Sequence, residues 1–345
     1  MEYKDIIADN CATKSAVSWW SKFAFHYTDV KNAVSILSSG TLYSRINAEK
    51  LGVMKNDNAS RQVIDMTMTE ATADVRFYFR PLTPTQYYNE GFKHPDLRYD
   101  DDRNANVPIP IFFTFDLEKL LQRPEVKFSA QGQAGHGAAL QNTVEAFAKF
   151  PFDKIYSKGY SDNWQEMNQY RRAEILCPNK FSIAGYIGVI LCRNAVERQT
   201  LLTLLEKEDR EAYHRYKPII KICRADMFEN NGLFVEDCQY HDNAISIAFS
   251  NTNSKRKYCE TEKNKRNLEK LSPVDIRVEL FWTHSGNMDY HTTVTTTTEY
   301  VFSRPIVIEK LPVIPRAQTI EIQLYMNNEL MCDIKQSIGT SEVIK

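Results

Sequence analysis

The chain has no Cys-x-x-Cys pair, no long apolar run and no surplus of charge of either sign. Each absence removes a class of protein. Its seven cysteines (Cys11, Cys177, Cys192, Cys223, Cys238, Cys259, Cys332) are odd in number and scattered. That pattern reads as reduced thiols, not as a disulfide framework or a zinc site. His241, His284 and His291 lack ligand spacing, so no metal is expected. No stretch reaches the roughly 18 apolar residues of a membrane span, and no membrane partner is expected. The opening Met1-Glu2-Tyr3-Lys4-Asp5 has no apolar signal region, so the expectation is a soluble, cytoplasmic chain. A net charge of −1 excludes a generally basic nucleic-acid coat but leaves room for a local basic groove. Gly132-Gln133-Ala134-Gly135-His136-Gly137 is followed by no Lys-Ser/Thr, so it reads as a loop and not as a phosphate cradle.

What is present is an ordinary globular composition, 43% apolar and 25% charged over 345 residues, enough for two domains. Residues 15–24 suit a short helix leading into a strand at 23–27. Asp29 suits the N-cap of a helix over 30–39, with Val30, Ala33, Val34 and Leu37 on one face and Gly40 as its stop. Val75 to Phe79 alternates as a strand, ended by Pro81 and Pro84. Pro110 to Phe115 is the continuous apolar run of a buried strand, after which Asp116 caps a helix over 117–122. Helices are predicted over 138–149 and 195–206, and strands at 174–177 and 186–192.

The composition then changes. Residues 251–271 carry Lys255, Arg256, Lys257, Lys263, Lys265, Arg266 and Lys270 and read as a basic linker or exposed arm. From 273 the pattern is β-like, over 274–282, 290–302, 305–310, 318–325 and 329–335, with a threonine run at 292–298. The expected division is a first domain over 1–215, a connecting region over 216–272, and a β-rich, sandwich-like accessory domain over 273–345.

Two polar intrusions at strand ends ask for a chemical reason. One is His26 in Phe25-His26-Tyr27-Thr28; the other is Glu174 in Tyr170-Arg171-Arg172-Ala173-Glu174-Ile175-Leu176. A lone carboxylate at the mouth of a buried strand is expensive unless paired. From the residues alone, Glu174 is either a strand-edge carboxylate paired with Arg171 or Arg172, or a group kept there for chemistry.

Several spaced segments line up with these two. They are Phe25-His26-Tyr27-Thr28 with Asn32 and Gly40, then Arg61, Phe77-Tyr78-Phe79-Arg80-Pro81-Leu82-Thr83-Pro84, Ile111 to Asp116, and Arg172-Ala173-Glu174-Ile175-Leu176. In this order they resemble the DarT family of toxins, ADP-ribosyltransferases that use NAD to modify a nucleobase in DNA. The resemblance covers about residues 22–205 and leaves out the tail. It implies an α+β fold, with split mixed β-sheets around an NAD cleft.

It also implies roles. Glu174 is the catalytic carboxylate, complementing the positive charge that develops on the ribose as the nicotinamide bond breaks. Arg61 binds a pyrophosphate oxygen or helps move a proton at the acceptor base, with Arg45 as its rival. His26, Thr28, Asn32 and Tyr78 belong to the NAD side. The 153–172 stretch lies where these enzymes keep their acceptor loop, and there Tyr156, Tyr160, Trp164 and Tyr170 interleave with Lys154, Lys158, Arg171 and Arg172. That mixture suits a single-stranded groove, since bases stack on aromatics and phosphates need cations.

Leu82 to Thr85 departs from the Pro-Arg-Ser-Pro-Met that DarT-like sequences often carry on the acceptor side, where Thr83 falls. Single-stranded DNA and RNA both stay open as acceptors. The resemblance further implies a toxin–antitoxin or anti-phage defence role with an antitoxin protein as partner. The contrasting reading is a catalytically inactive NAD- or nucleic-acid-binding sensor whose β domain binds a partner.

Overall fold

The helix Val30–Ser39 starts where Asp29 Oδ1 accepts the Lys31 N–H at 2.9 Å, and it ends at Gly40, whose φ of 64° suits glycine. That junction launches the helix from the end of the strand that carries His26. The computed structural model describes residues 1–14, 17–57, 72–98, 105–133, 138–159, 161–223 and 225–338.

In chain order the first half supplies β1 (Phe23–Asp29), β2 (Thr41–Tyr43), β3 (Asp74–Tyr78), β4 (Pro110–Asp116), β5 (Lys127–Ser129), β6 (Glu174–Pro178), β7 (Lys180–Ser182), β8 (Ile187–Cys192) and β9 (Ile220–Ile222). Seven of these form one sheet in the order β5-β6-β3-β1-β4-β8-β9, while β2 and β7 form a small sheet of their own. All pairs are antiparallel except β8 with β9, so the large sheet is mixed. The apolar run of β4 lies between β1 and β8, buried from Pro110 to Phe115 as its lack of alternation predicts. Phe25, Phe77, Phe112, Phe113 and Phe115 fill the core around it.

Some elements differ from the expectation. The chain enters β1 from the helix Tyr3–Thr13 and a single tight turn at Trp20–Lys22. The helix expected over 138–149 is confined to Val144–Ala148, because Gln141 bridges Phe128 and Thr143 caps the helix. Residues 216–272, read as a connecting region, contain β9 of the large sheet and then β10 (Val235–His241) and β11 (Ala244–Phe249). The basic window 251–271 folds as the helices Asn253–Cys259 and Glu262–Lys265 and a final turn. Lys255 in that window is fully buried, its ammonium bonded to the Ser250 carbonyl and, at 3.3 Å, to Ser303 Oγ.

The strand-rich remainder adds β12 (Val274–His284), β13 (Asn287–Thr298), β14 (Ile306–Ile308), β15 (Thr319–Met326) and β16 (Glu329–Ser337). Its sheets run β10-β11-β14 and β13-β12-β15-β16 and bury a second core. In β12 the alternation is strict, with Val274, Ile276, Val278, Leu280 and Trp282 inward.

The two cores are stitched together. Phe92 and Leu97, from the first half, lie in the second core. The helix Ala195–Glu208 reaches β16 through Lys207, which bonds Glu321 at 2.7 Å and Asp333 at 2.8 Å. Arg193 stands between two buried carboxylates, 3.3 Å from Glu90 and 3.0 Å from Glu197, with its guanidinium 3.7 Å from the centre of the Phe234 ring. Gly232 is required beside them, because a Cβ there would lie 2.5 Å from the Glu90 carbonyl.

Candidate active site

A cavity of about 310 Å³ opens where β1, the helix Val30–Ser39 and β3 meet. Its size is at the lower end of small-molecule sites. His26, Thr28, Asn32, Arg45, Tyr78 and Thr83 all line it, so the structure brings residues 26–45 together with residues 78–83.

On β3 the alternation divides the strand. Val75 and Phe77 are buried in the core, whereas Asp74, Arg76 and Tyr78 line the cavity. Tyr78 is the cavity member of the Phe77–Tyr78 pair. Burial, together with the nearby Glu174 carboxylate, pushes its hydroxyl up to about 12. His26 Nδ1 lies 3.0 Å from the Arg76 carbonyl. A carbonyl only accepts, so Nδ1 carries the proton and Nε2 remains an acceptor. Burial lowers the imidazole pKa and keeps the ring neutral.

Glu174 opens β6, opposite Tyr78 in the antiparallel register and 4% exposed. It does not itself line the cavity; it stands beside that wall, with Oε1 3.9 Å from Arg76 Nη1. Burial raises its pKa, and the Arg76 charge, the Gln133 backbone N–H and the Arg172 charge oppose the rise. Among the described residues its Oε2 has no hydrogen-bond partner. A buried carboxylate oxygen left unsatisfied is costly and is the expected mark of a group reserved for a ligand.

The other expected donor-side residues have more local duties. Asn32 donates to the Asn56 carbonyl at 2.7 Å and accepts from the Lys55 and Asn56 N–H groups at 2.8 and 3.1 Å. Its amide is therefore committed to the cavity wall. Arg45 pairs with Glu49 at 3.0 Å and with Asp57. Thr83 caps the helix Pro84–Asn89 through its hydroxyl, which accepts the Gln86 N–H at 3.3 Å. Arg61 lies outside the described residues.

The expected acceptor stretch is only partly a surface. Tyr156 is 4% exposed and stacks on Phe152 at 6.0 Å, so it is a core residue and not a base-stacking platform. The physical reason is helical spacing: Phe152 and Tyr156, four residues apart, share the inward side of the turn Phe152–Ile155. Tyr170 is half-buried beneath Lys154, at 4.8 Å. Arg171 donates to the Gly159 carbonyl at 2.7 Å, and Arg172 packs against Gly132. Trp164 is 55% exposed and is open to a ligand. Tyr160 lies outside the described residues. None of the described members of this stretch lines the cavity.

Two residues escaped the sequence reading. Buried Arg80 holds the 155–157 turn by donating to the Ile155 and Ser157 carbonyls at 2.9 and 2.5 Å. Arg76 was the other, and the alternation of β3 was the signal that places it beside Tyr78. Among the described residues no cluster of metal-ligating side chains is present, and no helix is long and apolar enough to cross a membrane.

The family model described as ssDNA thymidine ADP-ribosyltransferase, DarT, matches residues 25–228, well over half of the chain. The chain belongs to the DarT family. It is accordingly an ADP-ribosyltransferase, and the matched span contains both His26 and Glu174. No curated protein matches the sequence. Among solved structures it is similar to DarT of Thermus sp. 2.9 in complex with NAD+, at 17% identity and a TM-score of 0.46, over 60% of this chain and 97% of that one. It is similar to the same protein in complex with ADP-ribosylated ssDNA, at 15% identity and a TM-score of 0.48, over 60% and 96%. Thermosipho africanus DarTG in complex with ADP-ribose is more distant, at 13% identity and a TM-score of 0.40, over 54% and 47%. The strand-rich region from β12 onward lies outside the family match.

Proposed function

We propose that the cavity binds NAD and that this DarT-family domain transfers ADP-ribose from it to a base of single-stranded nucleic acid, with DNA as the favoured acceptor. The observation that carries this reading is Glu174, buried beside the cavity wall with Oε2 unsatisfied among the described residues. Breaking the nicotinamide–ribose bond sends the electron pair to nicotinamide and leaves positive charge on the ribose. An ionised Glu174, itself shielded from water, complements that charge. His26, with its proton on Nδ1, offers Nε2 to a ribose hydroxyl. The Tyr78 ring is the platform for the nicotinamide face, and Thr28 lines the same side. Asn32 acts indirectly, by fixing residues 55–56. Arg61 is assigned by the family pattern alone.

On the acceptor side, Trp164 is the aromatic we assign to the incoming base, with Thr83 in the cavity lining. An unpaired strand is the cheaper substrate, because a base in a duplex must first be extruded. We assign the enzyme to a toxin–antitoxin or phage-defence setting, in which a partner protein restrains it. The test is direct. The full chain is incubated with labelled NAD and, separately, with single-stranded DNA and RNA oligonucleotides. Label on the DNA is expected; label on RNA alone reassigns the acceptor, and label only on protein sinks the nucleic-acid reading.

A further inference from the structure

Arg76 stands where the two halves of the proposed site meet. Its carbonyl receives His26 Nδ1 at 3.0 Å, and its guanidinium lies 3.9 Å from Glu174 Oε1. Arg76 lines the cavity whereas Glu174 beside it does not, so Arg76 stands between a cavity ligand and the carboxylate. We propose that Arg76 is a positioning residue for ADP-ribosyl transfer: its guanidinium holds Glu174 as the charged counter-ion at the cavity wall, and its carbonyl fixes the His26 ring. The inference rests on the reading of Glu174 given above.

Burial works against a charge on Glu174. A carboxylate this enclosed, with one oxygen unsatisfied, favours its neutral acid form, which offers an oxocarbenium little attraction. Among the described residues, four groups face it. Arg172 precedes it on the approach to β6, Gln133 offers a backbone N–H from the loop after β5, and β3 contributes Tyr78 and Arg76. Of the two cations, Arg76 opposes the burial effect more strongly and is the one that lines the cavity. Asp74, two residues before it on β3, feels the same guanidinium. The 3.9 Å separation is an ion pair without a hydrogen bond, so ribose hydroxyls can take over the carboxylate without breaking a bidentate clamp.

The test compares the full chain with Arg76→Gln and Arg76→Lys, measuring nicotinamide release against pH. In Arg76→Gln the acid limb of kcat is expected to move up by about one unit, a tenfold change in proton affinity. In Arg76→Lys the shift is expected to be smaller. Carbon-13 NMR of the glutamate carboxyls, with Glu174 assigned from Glu174→Gln, reads the same shift without turnover. Superposable pH profiles, or a uniform loss of rate with no displacement, overturn the inference even if wild type is active. A wild type that releases no nicotinamide overturns the reading of Glu174. In that case the carboxyl titration alone decides whether Arg76 holds the charge, and an unmoved titration in Arg76→Gln overturns that too.

Discussion

Tyr78 on β3 and Glu174 on β6 are direct partners across the strand pair, one lining the cavity and the other buried beside it. Burial and then the Glu174 charge raise the Tyr78 pKa, so a charged carboxylate favours the neutral phenol beside it. Glu174→Gln keeps the shape and removes the charge. It is expected to lower nicotinamide release by about a hundredfold or more, the scale of losing one aimed electrostatic group. Tyr78→Phe keeps the ring and is expected to stay within about threefold of wild type, while Tyr78→Ala is expected to raise KM for NAD about tenfold, roughly one stacking contact. Steady-state kinetics on the three variants check this, and a Tyr78→Phe as poor as Tyr78→Ala gives the role to the hydroxyl.

The seam between the two cores holds charges that are affordable only together. Arg193→Met leaves Glu90 and Glu197 buried without their cation. Removing one partner of such a set costs about 3–5 kcal/mol. A urea midpoint close to that of wild type excludes the seam as a main source of stability.

Gly232→Ala is a sharper probe of the same place. The new Cβ would meet the Glu90 carbonyl at 2.5 Å and the Gly91 backbone at 2.9 Å, so backbone has to move. The expected loss is about 3 kcal/mol, at the upper end of ordinary overpacking. Calorimetric melting of the variant measures it.

A chain cut after residue 228, the end of the family match, is expected to aggregate rather than stand alone. The cut exposes Phe92, Leu97 and Val196 and strips Arg98 of its Glu329 partner. Contiguous apolar surface of this kind drives association. A monodisperse, folded 1–228 fragment on size-exclusion chromatography contradicts the shared core.

Asp333 gives a pH signature. Burial pushes its carboxyl from 3.8 up to about 6, against the pull of Lys207. Between those values the folded chain binds the extra proton, so this group's contribution to stability falls as pH rises through the window. Lys207 is raised as well, the Asp333 and Glu321 carboxylates outweighing its own burial, so its titration lies above 10.5 and outside this window. Asp333→Asn is therefore expected to compare more favourably with wild type at pH 7 than at pH 4. Thermal melts at the two pH values decide, and an unchanged difference rules out the titration.

How much could be read without coordinates follows from the range of each signal. The helix between Asp29 and Gly40, the buried strand β4 and the start of β6 at Glu174 rest on neighbours a few residues away, and each sits close to its expected place. The placement of His26 and Glu174 on either side of Arg76 was legible only as an ordered pattern of a family, because no local rule links residues this far apart in the chain. Arg76 was missed because a charged residue in an alternating strand usually marks a solvated face, and only the wall formed by the helix Val30–Ser39 turns that face into a cavity. Tyr156 was misplaced because aromatic and basic residues interleave in the same way on a surface and over a core.

By itself, then, the sequence determined the class of chemistry, through residue types in order, and the main elements, through local caps and periodicity. Tertiary structure alone decided which way each side chain faces, as for Arg76 and Tyr156. It also decided that the strand-rich tail shares its core with Phe92 and Leu97, and that Lys255, in the most basic stretch, is buried. The reason is physical: burial and pKa depend on what packs from distant segments, and local patterning carries no record of those partners.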